Sequence, residues 1–235
     1  MAGVAVIIPT LNEVESIGAV IAELPRSIVS EIIIADSGST DGTQAAARAA
    51  GATVLELHAR GYGKACAAAA AAANADCDII VFMDGDGADR ADLLAALIAP
   101  IEQGAKDFVI AARVRQLRDR GSMSVHQVVA GLVLGFAIGA LTGTHYTDMC
   151  AFRAIRRDAL QRLDLREMTY GWNIEMQIEA ARHGLRILEV PLPYRCRMGG
   201  RSKVAGSISG SVRASWRIIA TFIRVAFSGR RVANP

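Results

Sequence analysis

The stretch Ile80-Val81-Phe82-Met83-Asp84-Gly85-Asp86-Gly87-Ala88-Asp89 decides how the chain is read. Four apolar residues run straight into two aspartates separated by a single glycine. A short unbroken apolar run fits a strand buried on both faces, and an open α/β sheet places its ligand where such strands end. Asp84 and Asp86, two apart in an extended chain, project to the same side, and Gly85 lets another group approach closely. Two converging carboxylates are costly unless a cation neutralises them. A hard divalent ion held by one or two carboxylates fills its other positions with substrate phosphates and water. The stretch therefore points to a Mg²⁺ or Mn²⁺ diphosphate site. A polar strand-to-helix turn uses the same residue types, so the aspartates alone leave both readings open.

Working outward, the same pattern recurs. Residues 4–8 read as a buried strand ended by Pro9-Thr10-Leu11-Asn12-Glu13, with Asn12 placed to cap a helix over 15–24 and Glu13 and Glu15 suited to its first turn. A strand over 31–35 stops at Asp36-Ser37-Gly38-Ser39-Thr40-Asp41-Gly42, ahead of a helix over 43–50. A third strand, 53–58, leads through Gly61-Tyr62-Gly63-Lys64 into an almost pure alanine helix over 65–73. Then follow the strand at 78–83, a helix near 90–101 and a strand at 107–112. Such alternation predicts an α/β fold, a mostly parallel sheet covered by helices. Pro9, Asp36 and Asp84 all lie at strand ends and would meet in one crevice.

The second half is less regular. Residues 113–124 are basic and polar and read as a mobile loop; residues 125–141 form a helix apolar nearly all round, buried or facing lipid. A strand is expected to start near Tyr146-Thr147-Asp148, followed by helices over 157–163 and 173–183. The strand over 186–194 contains Pro191 and Pro193, which suit a sheet edge. A basic, glycine-broken loop, Arg195 to Lys203, precedes an amphipathic tail helix over 211–227. Residues 1–210 are expected to make one domain, with a nucleotide-binding half (1–113) and an acceptor half (114–210), and 211–235 a basic tail.

Bulk properties narrow the function. At 235 residues, 52% hydrophobic and 21% charged, the chain has ample core and is not disordered. A net charge of +3 does not suggest a nucleic-acid binder. The positive charge is concentrated late, at Arg195, Arg197, Arg201, Lys203, Arg213, Arg217, Arg224, Arg230 and Arg231, which suggests an anionic ligand or surface. The four cysteines show no metal-type spacing and read as reduced thiols of a cytosolic protein. The N-terminus has no signal-peptide pattern, and the longest apolar run, Val128 to Leu141, is short for a membrane span though long enough to lie at an interface.

Ile8-Pro9-Thr10-Leu11-Asn12-Glu13, Asp36-Ser37-Gly38-Ser39-Thr40-Asp41-Gly42-Thr43 and Asp84-Gly85-Asp86 together resemble family 2 glycosyltransferases of the GT-A fold. Thr147-Asp148, Phe152 to Arg157, Glu189-Val190-Pro191 and Gly199-Gly200-Arg201-Ser202-Lys203 extend the resemblance to the polyprenyl- or dolichyl-phosphate hexosyltransferase branch. That resemblance implies that Pro9, Leu11, Glu13, Asp36 and Lys64 line the nucleotide-sugar pocket, and that Asp84, Gly85 and Asp86 form the metal- and ribose-binding turn. Where relatives carry a glutamine this chain has Ala88, so either Asp89, as the candidate third metal ligand, or a water takes its place. Arg113, Arg201 and Lys203 would face the diphosphate, as Arg forks and Lys point charges do, with Arg120 a further candidate. Asp86, Asp148, Glu175 and Arg201 are the candidate catalytic residues; a hydroxyl acceptor would need a base, and Asp148 and Glu175 are the choices. His126 and His145 read as structural.

The resemblance implies a metal-dependent, inverting transfer of a hexose from a UDP- or GDP-sugar to a polyprenyl phosphate at the cytoplasmic membrane face. The basic amphipathic tail would rest on anionic lipid. A soluble acceptor is the nearest alternative, with the apolar helix then a core element or the seam of a homodimer. A nucleotidyltransferase would carry a glycine-rich phosphate loop after the first strand, where this chain has Pro9-Thr10-Leu11-Asn12-Glu13. A scaffold or lipid-binding protein would not need the Asp84/Asp86 pair.

Overall fold

A computed structural model describes residues 2–199 and 208–227, with side chains in the final helix from Trp216 onward. The apolar runs become seven strands: β1 (Gly3–Thr10), β2 (Glu31–Asp36), β3 (Thr53–Glu56), β4 (Cys77–Phe82), β5 (Phe108–Ala112), β6 (Arg153–Arg156) and β7 (Ile187–Pro191). They form one sheet in the order β3-β2-β1-β4-β6-β5-β7. All pairings are parallel except those of β6, which runs antiparallel to both β4 and β5. The helices are α1 (Ile17–Glu23), α2 (Thr43–Ala49), α3 (Tyr62–Ala72), α4 (Ala95–Glu102), α5 (Val125–Thr142), α6 (Arg157–Arg162), α7 (Trp172–Arg182) and α8 (Ile208–Phe227).

Val4–Ile8, Ile33–Ala35, Ile79–Met83 and Phe108–Ala112 are buried along their whole length, as strands covered on both faces must be. From β1 the chain steps outward through β2 to β3, then returns to β4 on the other side of β1. Such a reversal opens a crevice at the C-terminal ends of the two central strands. Thr10 pairs with Asp36 and Ile7 with Phe82 in the ladder, so the ends of β1, β2 and β4, two of them acidic at Asp36 and Asp84, finish side by side.

Several local expectations change. Asn12 does not cap α1. Ser16 occupies that position, while Asn12 takes a left-handed conformation (φ 54°), which asparagine tolerates. Its side-chain oxygen accepts the Thr40 N–H at 2.9 Å and its own N–H donates to Ser39 Oγ at 2.8 Å. The loops after β1 and β2 are thereby laced together. The helix expected over 90–101 divides into a 3-10 turn at Ala91–Leu93 and α4. The strand expected near Tyr146 begins only at Arg153, because the amides of Thr147 and Asp148 go to the Glu189 carboxylate and not to a ladder. The proline-bearing strand β7 lies at the sheet edge, as its composition predicts.

Candidate active site

The Asp84-Gly85-Asp86 turn follows β4 and packs against β1: Ser16 Oγ donates to the Gly85 carbonyl at 2.7 Å, and a Cβ on Gly85 would lie 3.2 Å from the Ile8 and Thr10 side chains. Asp86 Oδ1 accepts the Ala88 N–H at 2.9 Å, and its Oδ2 lies 2.8 Å from Arg197 Nη1. Asp89 turns inward, where Oδ2 accepts the Asp84 N–H at 3.3 Å and Oδ1 accepts the Cys150 thiol at 3.7 Å. Burial, and then the neighbouring charges of Asp86 and Asp89, push the Asp84 carboxyl up to about 8. Burial and then Asp86 push Asp89 up to about 7. The turn is thus short of positive charge, the condition under which a divalent cation binds favourably.

The expected three-aspartate cage is not present. Among the described residues no group of three His, Cys, Asp or Glu side chains is assembled to hold a metal. Asp89 is spent on the Asp84 amide and the Cys150 thiol. Asp84 and Asp86 remain, and one or two carboxylates are what Mg²⁺ ordinarily takes from a protein when phosphate oxygens and water supply the rest. The residues therefore fit a metal–diphosphate group through Asp84 and Asp86.

Arg113, just past β5, is fixed by Asp148 in a two-pronged pair: Nε to Oδ2 at 2.7 Å and Nη2 to Oδ1 at 2.6 Å, with the Arg113 N–H also on Oδ2 at 2.9 Å. Its guanidinium stacks 5.0 Å over the Tyr194 ring, and its charge is felt at both Asp84 and Asp89. Burial opposes ionisation of Asp148, but the Arg113 pair outweighs it and holds the carboxyl below its usual range. Asp148 is an ionised anchor with little tendency to take a proton. Glu175, the other candidate base, is fully buried; Oε2 accepts the Arg166 and Glu167 N–H groups at 2.8 and 2.6 Å, and Oε1 lies 3.6 Å from Arg224. It staples the 166–167 backbone to α7 and α8. The same segment receives the N-terminus of α3, where the Gly63 and Lys64 amides donate to the Thr169 and Met168 carbonyls.

On the donor side, Asp36 is completely buried and accepts from Thr10 Oγ1 (3.0 Å), Gln44 Nε2 (2.7 Å), the Gly38 and Ser39 amides, and Ser39 Oγ. Although burial disfavours its charge, these donors hold it below its usual range. Asp36 organises the 37–44 loop and offers no exposed oxygen to a base or ribose in this conformation. Pro9 and Leu11 are half-buried beside it, and Lys64 is exposed on the first turn of α3. Glu13 meets Arg197 Nη2 at 3.1 Å. Arg120 is exposed. Arg201 and Lys203 lie outside the described residues.

Arg197 and Tyr194 contact the site without having been singled out as site residues. Both belong to, or border, the basic glycine-broken run that the sequence marks, but charge alone does not say which arginine of such a run turns inward.

The glycosyl transferase family 2 profile matches residues 5–164. The chain belongs to glycosyltransferase family 2. This family 2 glycosyltransferase is 33% identical over 228 residues to an uncharacterised glycosyltransferase of Mycobacterium tuberculosis, covering 93% of this chain and all of the relative. It is also 33% identical over 224 residues to an undecaprenyl-phosphate mannosyltransferase of Micrococcus luteus, covering 88% and 89% of the two chains. Its fold matches that of glucosyl-3-phosphoglycerate synthase from M. tuberculosis, solved with Mn²⁺, uridine diphosphate and phosphoglyceric acid (TM-score 0.76, 26% identity, 96% of this chain and 79% of the other). The GT-A fold expected from the resemblance is the one observed, and the enzyme is a hexosyltransferase among relatives of the polyprenyl-phosphate branch.

Proposed function

We propose that this enzyme transfers a hexose, with inversion, from a UDP- or GDP-sugar to a polyprenyl phosphate. One observation carries the choice of acceptor. Neither candidate base is placed to accept a proton: Asp148 is held ionised by Arg113, and Glu175 is buried on backbone amides. A hydroxyl acceptor would need such a group, whereas a phosphate oxygen is already an anion and needs only cations to hold it.

In this reading residues 1–113 bind the nucleotide sugar and residues 114–210 the acceptor. A Mg²⁺ or Mn²⁺ ion at Asp84 and Asp86 would neutralise the departing nucleoside diphosphate. Arg113, oriented by Asp148 and Tyr194, presents a guanidinium to the phosphate groups in the crevice. Arg201 and Lys203 supply further positive charge. The acceptor phosphate oxygen attacks the anomeric carbon as the bond to the diphosphate breaks. Pro9, Leu11, Glu13 and Lys64 border the nucleotide, and Asp36 acts by fixing the loop that bounds it. Lipid contact through α5 and α8 would place the enzyme on the cytoplasmic face of the membrane. A phosphorylated soluble acceptor is the second reading, favoured by the fold neighbour solved with phosphoglyceric acid.

The test is transfer from a panel of UDP- and GDP-hexoses to a short polyprenyl phosphate, with and without Mn²⁺ or Mg²⁺, products identified by mass. A metal-dependent glycosyl lipid phosphate is expected. Transfer to a phosphorylated soluble acceptor with no lipid product would replace the lipid reading, and transfer to neutral alcohols alone would refute the anionic acceptor.

A further inference from the structure

Residues 194–199 lie across the aspartate turn like a strap. Tyr194 bridges to Asp89, the Arg195 N–H donates to the Ala88 carbonyl at 2.9 Å, and the Met198 N–H donates to the Asp86 carbonyl at 2.9 Å. Arg195 clamps Glu23 with both terminal nitrogens, at 3.0 and 2.8 Å. Gly87 is left-handed (φ +77°), a conformation that favours glycine, and it lies directly beneath the Met198 side chain. Most of these are backbone or peripheral contacts. Arg197 is different, because its guanidinium enters the turn itself, with Nη1 2.8 Å from Asp86 Oδ2 and Nη2 3.1 Å from Glu13 Oε1.

We propose that Arg197 is the internal counterion of Asp86, latching the 194–199 strap over the aspartate turn until a divalent cation displaces it. The inference rests on the metal reading above and adds to it a competition at one oxygen. Asp86 Oδ1 is committed to the Ala88 amide two residues on, a bond set by the local turn. Oδ2 is the oxygen that can change partner, and it is the one Arg197 holds. A guanidinium is a broad monovalent fork, suited to satisfying a carboxylate in the absence of ligand. A small divalent ion concentrates twice the charge and takes phosphate oxygens as further ligands. An ion taking Oδ2 competes directly with Arg197 Nη1 there, so its arrival removes the strap's ion pair to Asp86 and loosens the strap at that point, while the Arg195–Glu23 and Arg197–Glu13 pairs remain. The cation-poor turn is thereby kept compensated in the unloaded enzyme, and metal entry is coupled to loosening of the segment above it.

The strap carries its own reporter. Cys196, beside Arg197, is the exposed cysteine, whereas Cys66, Cys77 and Cys150 are buried. The experiment follows the rate at which the native Cys196 thiol reacts with a chromogenic disulfide while Mn²⁺ is titrated without nucleotide. Mn²⁺ binding is measured in parallel by water-proton relaxation. In the wild type the rate is expected to rise saturably, with the same midpoint as binding. Arg197→Gln is expected to react fast without metal and to bind Mn²⁺ about tenfold more tightly, the gain from removing a half-buried competing ion pair. Arg197→Lys, which keeps the charge, is expected to bind within about threefold of wild type. Mn²⁺ binding to the wild type with an unchanged Cys196 rate would overturn the latch and leave the metal reading standing. So would Arg197→Gln binding no tighter than wild type. Absence of Mn²⁺ binding in both proteins would overturn the metal reading and the latch together. Should Arg197→Gln not fold, the wild-type comparison of rate and binding decides alone.

Discussion

At the scale of single residues, the site is a problem of charge compensation. Asp148 and Arg113 form a two-pronged pair, and each is mostly shielded from water. Asp148→Asn keeps the shape but leaves the guanidinium without its two-pronged partner. Removing one member of such a pair costs about 3 kcal/mol, which urea unfolding would read directly. The same variant is expected to lower kcat/KM by roughly 10- to 100-fold, because Arg113 no longer points one way. If Asp148 were instead a general base, the pH–rate profile would lose its acidic limb in the variant; the positioning role predicts a profile of unchanged shape. Asp84 and Asp89 pose the opposite case. Their carboxyls, pushed up to about 8 and about 7, bind protons in the folded protein that the unfolded chain has already released. Stability of the metal-free protein should therefore fall as pH rises from about 4 towards 8. Asp89→Asn is expected to raise Tm at pH 8 and change it little at pH 5, and scanning calorimetry at the two values checks this. The aspartate motif was legible in the sequence because its residue types and spacing carry its chemistry. That Asp36 and Glu175 would be filled by donors was not, because their residue types fit a ligand-facing carboxylate equally well and the choice is made by how the 37–44 loop and the 166–167 backbone turn onto them.

At the scale of elements, α5 shows how a strong sequence signal can conceal the direction of packing. The helix is apolar all round, yet the residues it buries are Gly131, Gly135, Ile138 and Gly139. Glycine has no side chain to register as hydrophobic, so the inward face is the one the sequence marks least. These glycines let the helix backbone approach residues 145–148, the segment that carries Asp148. At Gly135 an added Cβ would overlap the Tyr146 carbonyl oxygen, and at Gly139 the His145 ring. The ring can rotate away, but the carbonyl belongs to the backbone and cannot. Gly135→Ala is thus expected to cost about 3 kcal/mol, at the upper end of overpacking penalties, despite its favourable helix propensity. Gly143→Ala tests a different cause, since that residue is left-handed at the helix end with open space around it, and is expected to cost about 1 kcal/mol. Thermal unfolding of the two variants checks both the order and the sizes; equal Tm values would refute the close-packing account. The order of the first-half elements was readable because buried strands and alanine-rich helices have distinct periods, while several boundaries shifted, as at β3, α4 and β7. The late start of β6 was not, since Glu189 claims the amides of Thr147 and Asp148 from across the fold, and neither was its antiparallel sense.

At the scale of the whole molecule, the central sheet gathers the acidic strand ends, while several large apolar side chains on two helices remain outside the core. On α5 these are Val125, Val129, Leu132, Val133 and Phe136; on α8 they are Trp216, Ile219, Ile223 and Phe227. Both helices pack against α7. α8 is seated by Val225 in the core, by Ile218 and Phe222 packed against it, and by Thr221 and Arg224 on Glu167 at 3.0 and 2.8 Å, which leaves Trp216, Ile219, Ile223 and Phe227 turned outward. By length and composition α5 passes as a membrane-crossing helix, but its glycine side is committed to the protein, so lying along a lipid surface satisfies it better than spanning one. Burying two phenylalanines contributes about 3–6 kcal/mol, enough to shift partitioning by two decades or more. Phe136 and Phe227 are 71% and 83% exposed. The enzyme is accordingly expected to float with anionic vesicles, and the double variant Phe136→Glu, Phe227→Glu to remain in the aqueous fraction with its unfolding midpoint unchanged. Added salt should weaken binding only in part, because the arginines contribute a screened attraction and the apolar stripes an unscreened one. Wild-type protein that stays in solution with vesicles yet sediments as a dimer, with the double variant monomeric, would instead assign these faces to a second copy of the chain.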